Sequence, residues 1–391
     1  MATYRVDVEP ALLDWAIERS RIDRDELYSK RALRDLPLWQ RREKKPTYNE
    51  LQTFARATHT PFGMLFLSTP PVEKVPIPDF RTIADAEVTT PSPDLLETIY
   101  MCEQRQEWYR KYAARNDYDP LDFVGSATIN DPIAVTADKI RRRLGFTSDD
   151  RARDRTWSEA LRRLIDSAED IGILVMISGI VGNNTRRVLD PNEFRGFALS
   201  DPLAPLIFIN GADTKAAQIF TLIHEVAHIW LGQSALTDAR LDTPTAGRAA
   251  SNQVEQWCNR VAAEVLVPLA SFRPVWPYDS DELDRLARIH KVSTLVVLRR
   301  IYDAGHLKWA DFRQRYEAEL GRVMGILAGR QAESGGGNYY YTQPLRISQR
   351  FAHAVISDAV AGNTLYNDAY RLIGTRKHQT FVQLGEQVGA I

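Results

Sequence analysis

Thr221-Leu-Ile-His224-Glu225-Val-Ala-His228-Ile-Trp230-Leu-Gly232 decides how the rest of this 391-residue chain is read. Its apolar residues recur at helical spacing. Asp213 or Thr214 stands where an N-cap belongs and Gly232 where a C-cap belongs, so one continuous helix is predicted over 214–232. A helix turns ~100° per residue, so residues four apart differ by only ~40°, and His224 and His228 project from one face. Two imidazoles so placed can share one zinc ion, and Glu225, one residue round, can reach a water on that ion without ligating it. With 7 histidines in the chain, an HExxH of this kind arises by chance only about 0.007 times.

Such a site needs a third protein ligand, and the helical pattern at 252–271 offers Glu255 and Glu264. Nine residues correspond to ~900° of rotation, so the two carboxylates face opposite sides of that helix and only one can serve. Glu255 shares its face with Asn259 one turn later, and Asn259 can orient a ligating histidine by hydrogen bonding to it. This favours Glu255, leaving Glu264 as a charge on a packed helix.

Outward from this pair, the periodicity changes. The runs 173–177, 194–199 and 205–210 read as strands of a small sheet. Helical patterns cover 93–114, 133–145, 157–170, 279–290, 293–303 and 309–328, so the fold class is α+β and mostly helical. Residues 1–70 read as a separate helical unit, in which Thr47 and Glu50 form a capping box. The proline-rich stretch 71–90 serves as a linker, 91–330 as the main domain with its core at 157–275, and 331–391, after Ser334-Gly-Gly-Gly337, as a C-terminal helical extension with helices near 344–361 and 364–373.

Fifty Lys plus Arg balance fifty-one Asp plus Glu, so net charge does not hold this chain on nucleic acid or an anionic membrane. A local excess exists at 19–45, where ten basic residues face five acidic ones, a pattern usual for a solvated face. Two cysteines, Cys102 and Cys258, are too few for a disulfide scaffold. The start lacks a secretory pattern and no apolar run approaches the ~20 residues of a membrane span, so the expected location is the cytoplasm. GxGxxG, GxxxxGK[ST] and GxSxG are all missing from the sequence, which removes support for nucleotide cradles and serine hydrolase elbows.

Asn210 through Gly232, together with Glu255-Gln-Trp-Cys-Asn259-Arg-Val-Ala-Ala-Glu-Val-Leu-Val-Pro268, resembles the ImmA/IrrE family of bacterial and phage zinc metallopeptidases. The resemblance implies a gluzincin-like core in which His224, His228 and Glu255 bind zinc and Glu225 is the general base. Pro46 to Leu67 and Pro76-Ile-Pro-Asp-Phe80-Arg81-Thr82 resemble the degenerate helix-turn-helix (XRE-like) segment and linker of long family members, and Asn338 to Arg346 with the helices beyond resembles their C-terminal extension. It further implies a protein substrate, a helix-turn-helix repressor whose cleavage relieves repression. The reading from another class is a helix-turn-helix regulatory or antitoxin-type protein, partnered by a toxin or weakly by DNA, whose metal site is structural or inactive.

Peptide hydrolysis also calls for a donor to the oxyanion, and Arg195, His306, Tyr340 and Arg346 are the candidates, unranked by spacing. The strand at 206–209, were it a sheet edge, would pair with an extended substrate by strand addition.

Overall fold

The computed structural model describes residues 4–79, 91–146, 154–237, 250–330 and 339–391, with backbone alone at 250–252, 324, 326–330 and 339–342. The chain divides into two compact units, Met1–Pro76 with Ile83–Tyr100, and Ile77–Thr82 with Met101–Ile391.

The first unit holds four short helices, α1 (Pro10–Ser20), α2 (Arg24–Ser29), α3 (Leu36–Gln40) and α4 (Tyr48–Ala57). Thr47 and Glu50 cap α4 reciprocally, as the capping box requires. Leu13, Ile17, Leu27, Leu33, Leu36, Leu51 and Phe54 form its core. The helix α5 (Pro93–Arg115) runs through the boundary at residue 100.

In the second unit α6 (Ile133–Leu144) and α7 (Trp157–Asp170) precede a four-stranded mixed sheet of β1 (Leu174–Ser178), β2 (Gly196–Leu199), β3 (Leu206–Asn210) and β4 (Ala235–Thr237) in the order β1-β3-β2-β4. The strand β1 lies parallel to β3, and β2 is antiparallel to both β3 and β4. Every residue of the four strands is buried, so the sheet is covered on both faces and its strands read as continuous apolar runs. Ile207 and Ile209 point into the main core with α7 and the next helix, α8 (Lys215–Leu231). Phe208 lies on the other face, stacked on Phe197 at 5.1 Å. The strand at 206–210 is therefore interior, between β1 and β2, and its backbone is already paired on both sides; the expectation that it could be an edge open to substrate is overturned.

Helix α9 (Ala250–Leu266) lies against α8 and α6. It stops short of Pro268, five residues before the boundary expected from periodicity, because proline disfavours helix in the residue before it. Then come α10 (Ser280–His290), α11 (Thr294–Asp303) and α12 (Trp309–Arg330). The C-terminal segment contains α13 (Tyr339–Ile347), α14 (Gln349–Val360), α15 (Tyr366–Ile373) and α16 (His378–Val388). The single helix expected at 344–361 is two helices. Ser348 separates them with a φ of 67°, and its side chain caps α14 by accepting from the Phe351 amide.

Candidate metal centre

The helix α8 is buried from Gln218 to Trp230, polar residues included. Thr214 caps its start, accepting from the Ala217 amide, and Gly232 ends it in the left-handed region at φ 69°. The last carbonyls do not face water. Gly125 N–H donates to Ile229 O at 3.1 Å, Ala127 N–H donates to Trp230 O at 2.9 Å, and Phe123 stacks on Trp230 at 4.4 Å. A Cβ on Gly232 would lie 2.9 Å from Gly125 Cα, so this approach of two backbones requires glycine. Helix α9 is held from outside: Trp257 Nε1 donates to Asp131 O and Arg141 to Glu264 O.

Between the two helices, three donor atoms converge. The Nε2 atoms of His224 and His228 stand 3.1 Å apart, and the carboxylate of Glu255 lies 3.2 Å from the first and 3.0 Å from the second. The two imidazoles are wholly buried and the Glu255 side chain is 12% exposed. Three lone pairs crowded together repel unless a cation or a proton sits among them. Donors ~2.05 Å from a tetrahedral ion are about 3.3 Å apart, close to the 3.1 Å between the two Nε2 atoms and to the distance from each to its own Glu255 oxygen. Among the described residues this is the one grouping of three metal-ligating side chains, and a divalent metal ion fits it.

Electrostatics give the same picture. Burial by itself would lift the Glu255 carboxyl, but the charge and hydrogen bonds of the two histidines outweigh it and hold the group down at about 2. Burial pulls His228 below its ordinary value, whereas for His224 the charge and hydrogen bond of Glu255, helped by Glu225 and Asn259, overcome burial and raise it. Glu225 is lifted by burial to about 8 in the metal-free protein, and a bound cation would push it back toward the charged form.

Two residues that complete this site carried no signal in the sequence. Thr237, at the end of β4, donates its hydroxyl to Glu225 Oε1. Gly196, in β2, gives α8 room: a Cβ there would meet Thr221 Cγ2 at 2.6 Å, Phe208 O at 2.9 Å and Glu225 Oε1 at 3.3 Å. An "ALT" triplet and an isolated glycine are too short for periodicity to interpret. Only the register, with Gly196 opposite Thr237, brings them to Glu225.

The remaining candidates have other surroundings. Glu264 faces away from the histidines, in a buried ion pair with Arg300. The Arg195 amide donates to Thr237 O at 3.3 Å, placing it beside the site, while its guanidinium lies 3.5 Å from Asp213. His306 is exposed and packs on Tyr278. Arg346 is half-buried in α13, and the Tyr340 side chain lies outside the described residues. In the first unit Arg41, Arg42, Lys44 and Lys45 are each ion-paired, with Glu43, Glu9, Asp35 and Asp7. Glu9 and Asp7, which lie outside 19–45, thereby offset part of the basic excess there.

Residues 168–302 match the family described as IrrE N-terminal-like domain (Peptidase_M78), and residues 347–387 match a domain of unknown function, DUF8813. The first match contains His224, Glu225, His228 and Glu255, and supports a metallopeptidase of the IrrE/ImmA type. No curated protein and no solved structure matches the chain. Among the described residues no helix is long and apolar enough to cross a membrane.

Proposed function

We propose that this chain is a zinc-dependent endopeptidase that cuts a partner protein, a helix-turn-helix repressor, and so relieves repression. The observation that carries the reading is the convergence of His224 Nε2 and His228 Nε2, 3.1 Å apart, on the Glu255 carboxylate, whose Oε2 lies 3.2 Å from the first and Oε1 3.0 Å from the second, with Glu225 on the next position of the same helix. Neutral imidazoles and one carboxylate leave a bound Zn²⁺ with net positive charge, which suits a catalytic ion with an open fourth position.

Zinc, when bound, lowers the pKa of water toward ~7 and polarises the scissile carbonyl. The chain's own residues then manage the protons. Glu225, buried beside the histidines, takes one proton from the attacking water as the C–O bond forms. It passes that proton to the amide nitrogen as the C–N bond breaks, so a carboxylic acid and an amine leave and Glu225 returns to its starting state. Burial suits this exchange, because a carboxylate out of bulk water has a proton affinity close to that needed near neutral pH. The two histidines and Glu255 are held by two helices packed against one another, so the three donors need little reorganisation to bind the ion.

The repressor substrate comes from the family resemblance. The test is co-expression with a candidate helix-turn-helix repressor, with and without chelator. Cleavage should be visible in the untreated lane only. Glu225→Gln should keep one zinc per chain by elemental analysis and lose cleavage by about 10²–10⁴-fold, the usual contribution of a general base. Intact repressor in every lane would remove the reading.

A further inference from the structure

The carboxylate of Glu225 has two oxygens, and they are not in equivalent surroundings. Oε1 accepts the hydroxyl of Thr237 and lies against the β2 backbone, where even the Cβ of an alanine at 196 would come within 3.3 Å of it. Oε2 is buried and has no hydrogen-bond partner among the described residues. Thr237 is itself fixed: it is fully buried, pairs with Gly196 across the β2–β4 ladder, and its carbonyl accepts the Arg195 amide at 3.3 Å.

Resting on the peptidase reading, we infer that Thr237 is the positioning residue for Glu225. Its hydroxyl pins Oε1 against the sheet and so makes Oε2 the oxygen that takes the proton from water and hands it to the leaving amine. The terminal torsion of a glutamate is broad and close to twofold, so an untethered carboxylate swings and exchanges its oxygens freely. A charge-assisted hydrogen bond from a buried, backbone-anchored hydroxyl selects one orientation. The edge strand β4 thereby sets the aim of a residue on α8, twelve positions earlier in the chain.

Two substitutions separate aim from mere packing. Thr237→Val keeps the shape and removes the donor, whereas Thr237→Ser keeps the donor and trims a methyl. With fluorescein-labelled casein and the co-expressed repressor as probes, kcat should fall about 100-fold in Thr237→Val with KM unchanged, the size of effect that a small misplacement of a reacting group produces. Thr237→Ser should recover to within about fivefold, the hydroxyl being the part that matters. Both variants should keep one zinc per chain by elemental analysis.

Crystal structures of the zinc-loaded wild type and Thr237→Val decide the matter without any substrate. Oε1 should lie within hydrogen-bond reach of Thr237 Oγ1, with Oε2 toward the ion, in the first, and the carboxylate should be rotated in the second. An unchanged pose in Thr237→Val, a zinc-loaded wild type in which Oε1 faces the ion, or a serine variant as impaired as the valine one would overturn the assignment. Wild-type protein that holds zinc but cuts neither probe would sink the peptidase reading instead, and the two crystal structures would still report on Thr237. Should Thr237→Val not fold, the wild-type structure and Thr237→Ser carry the test.

Discussion

The helix α9 presents a buried glutamate at each of two places, and the two have opposite fates. Glu264 meets Arg300, whose guanidinium also reaches Asp303 at 3.2 Å and Val267 O at 2.9 Å. Arginine does not deprotonate in proteins, so this cluster brings its own cation and is complete within the chain. Glu255, nine residues earlier, meets two imidazoles that are neutral at ordinary pH in isolation, and the cluster gathers lone pairs without a permanent positive charge. One end of the helix is a brace. The other can take an ion, and chemistry needs an exchangeable charge there.

The sharpest way to break this contrast is at the brace. Arg300→Met leaves the Glu264 charge buried without its partner, and unfolding free energy should drop by about 3–5 kcal/mol in urea titrations while zinc per chain stays at one. The double variant Arg300→Met, Glu264→Leu should regain most of it, because a well-packed apolar pair often does as well as a buried ion pair. If Arg300→Met costs zinc instead, the two ends of α9 are not independent.

A smaller effect is expected at the other end. Glu255→Gln keeps an oxygen donor and loses the charge, so zinc affinity should fall at least about 100-fold, beyond what loss of an outer-shell partner brings. Competition with a chromogenic chelator would measure it, and equal affinity in both proteins would mean the carboxylate is not a ligand.

The smallest effect is one of pH. Glu255 has its carboxyl held down at about 2 against an ordinary 4.5, so it binds protons less readily folded than unfolded. That stabilises the metal-free protein above pH 4.5, and the contribution is lost as pH falls from 4.5 toward 2. The difference in unfolding free energy between wild type and Glu255→Gln should shrink across that window; a flat difference would show the histidine contacts to be loose in solution.

Much of this was legible in the residues, for reasons that mark the limits of such reading. The position of α8 followed from period and caps, and the choice of Glu255 over Glu264 from rotation, which allows only one of them, together with Asn259 on the Glu255 face. The strand at 206–210 was legible as a strand but not as an interior one. Its unbroken apolar run, Leu206 to Ile209, is nonetheless what burial on both faces produces, and that was the available clue. The break at Ser348 was hidden because a serine in the left-handed region is uncommon and nothing local announces it. Helix α16 was passed over: its pattern is interrupted by Gly385, whose missing side chain makes room for Ile391. Thr237 lay beyond reach altogether, because what matters about it is a partner across the sheet.

The grip of residues 125 and 127 on the carbonyl end of α8 reaches further than the helix itself. His228 belongs to the final turn, the part of any helix that unravels first, and here that turn is closed by chain lying more than forty residues upstream of the family-matched stretch at 168–302. An excised fragment drawn to those limits would contain His224, Glu225, His228, Thr237 and Glu255 and still hold one imidazole on a loose thread. The smallest transplantable version of this centre therefore begins before residue 121, where the chain first turns toward the clasp, and is longer than the family-matched stretch.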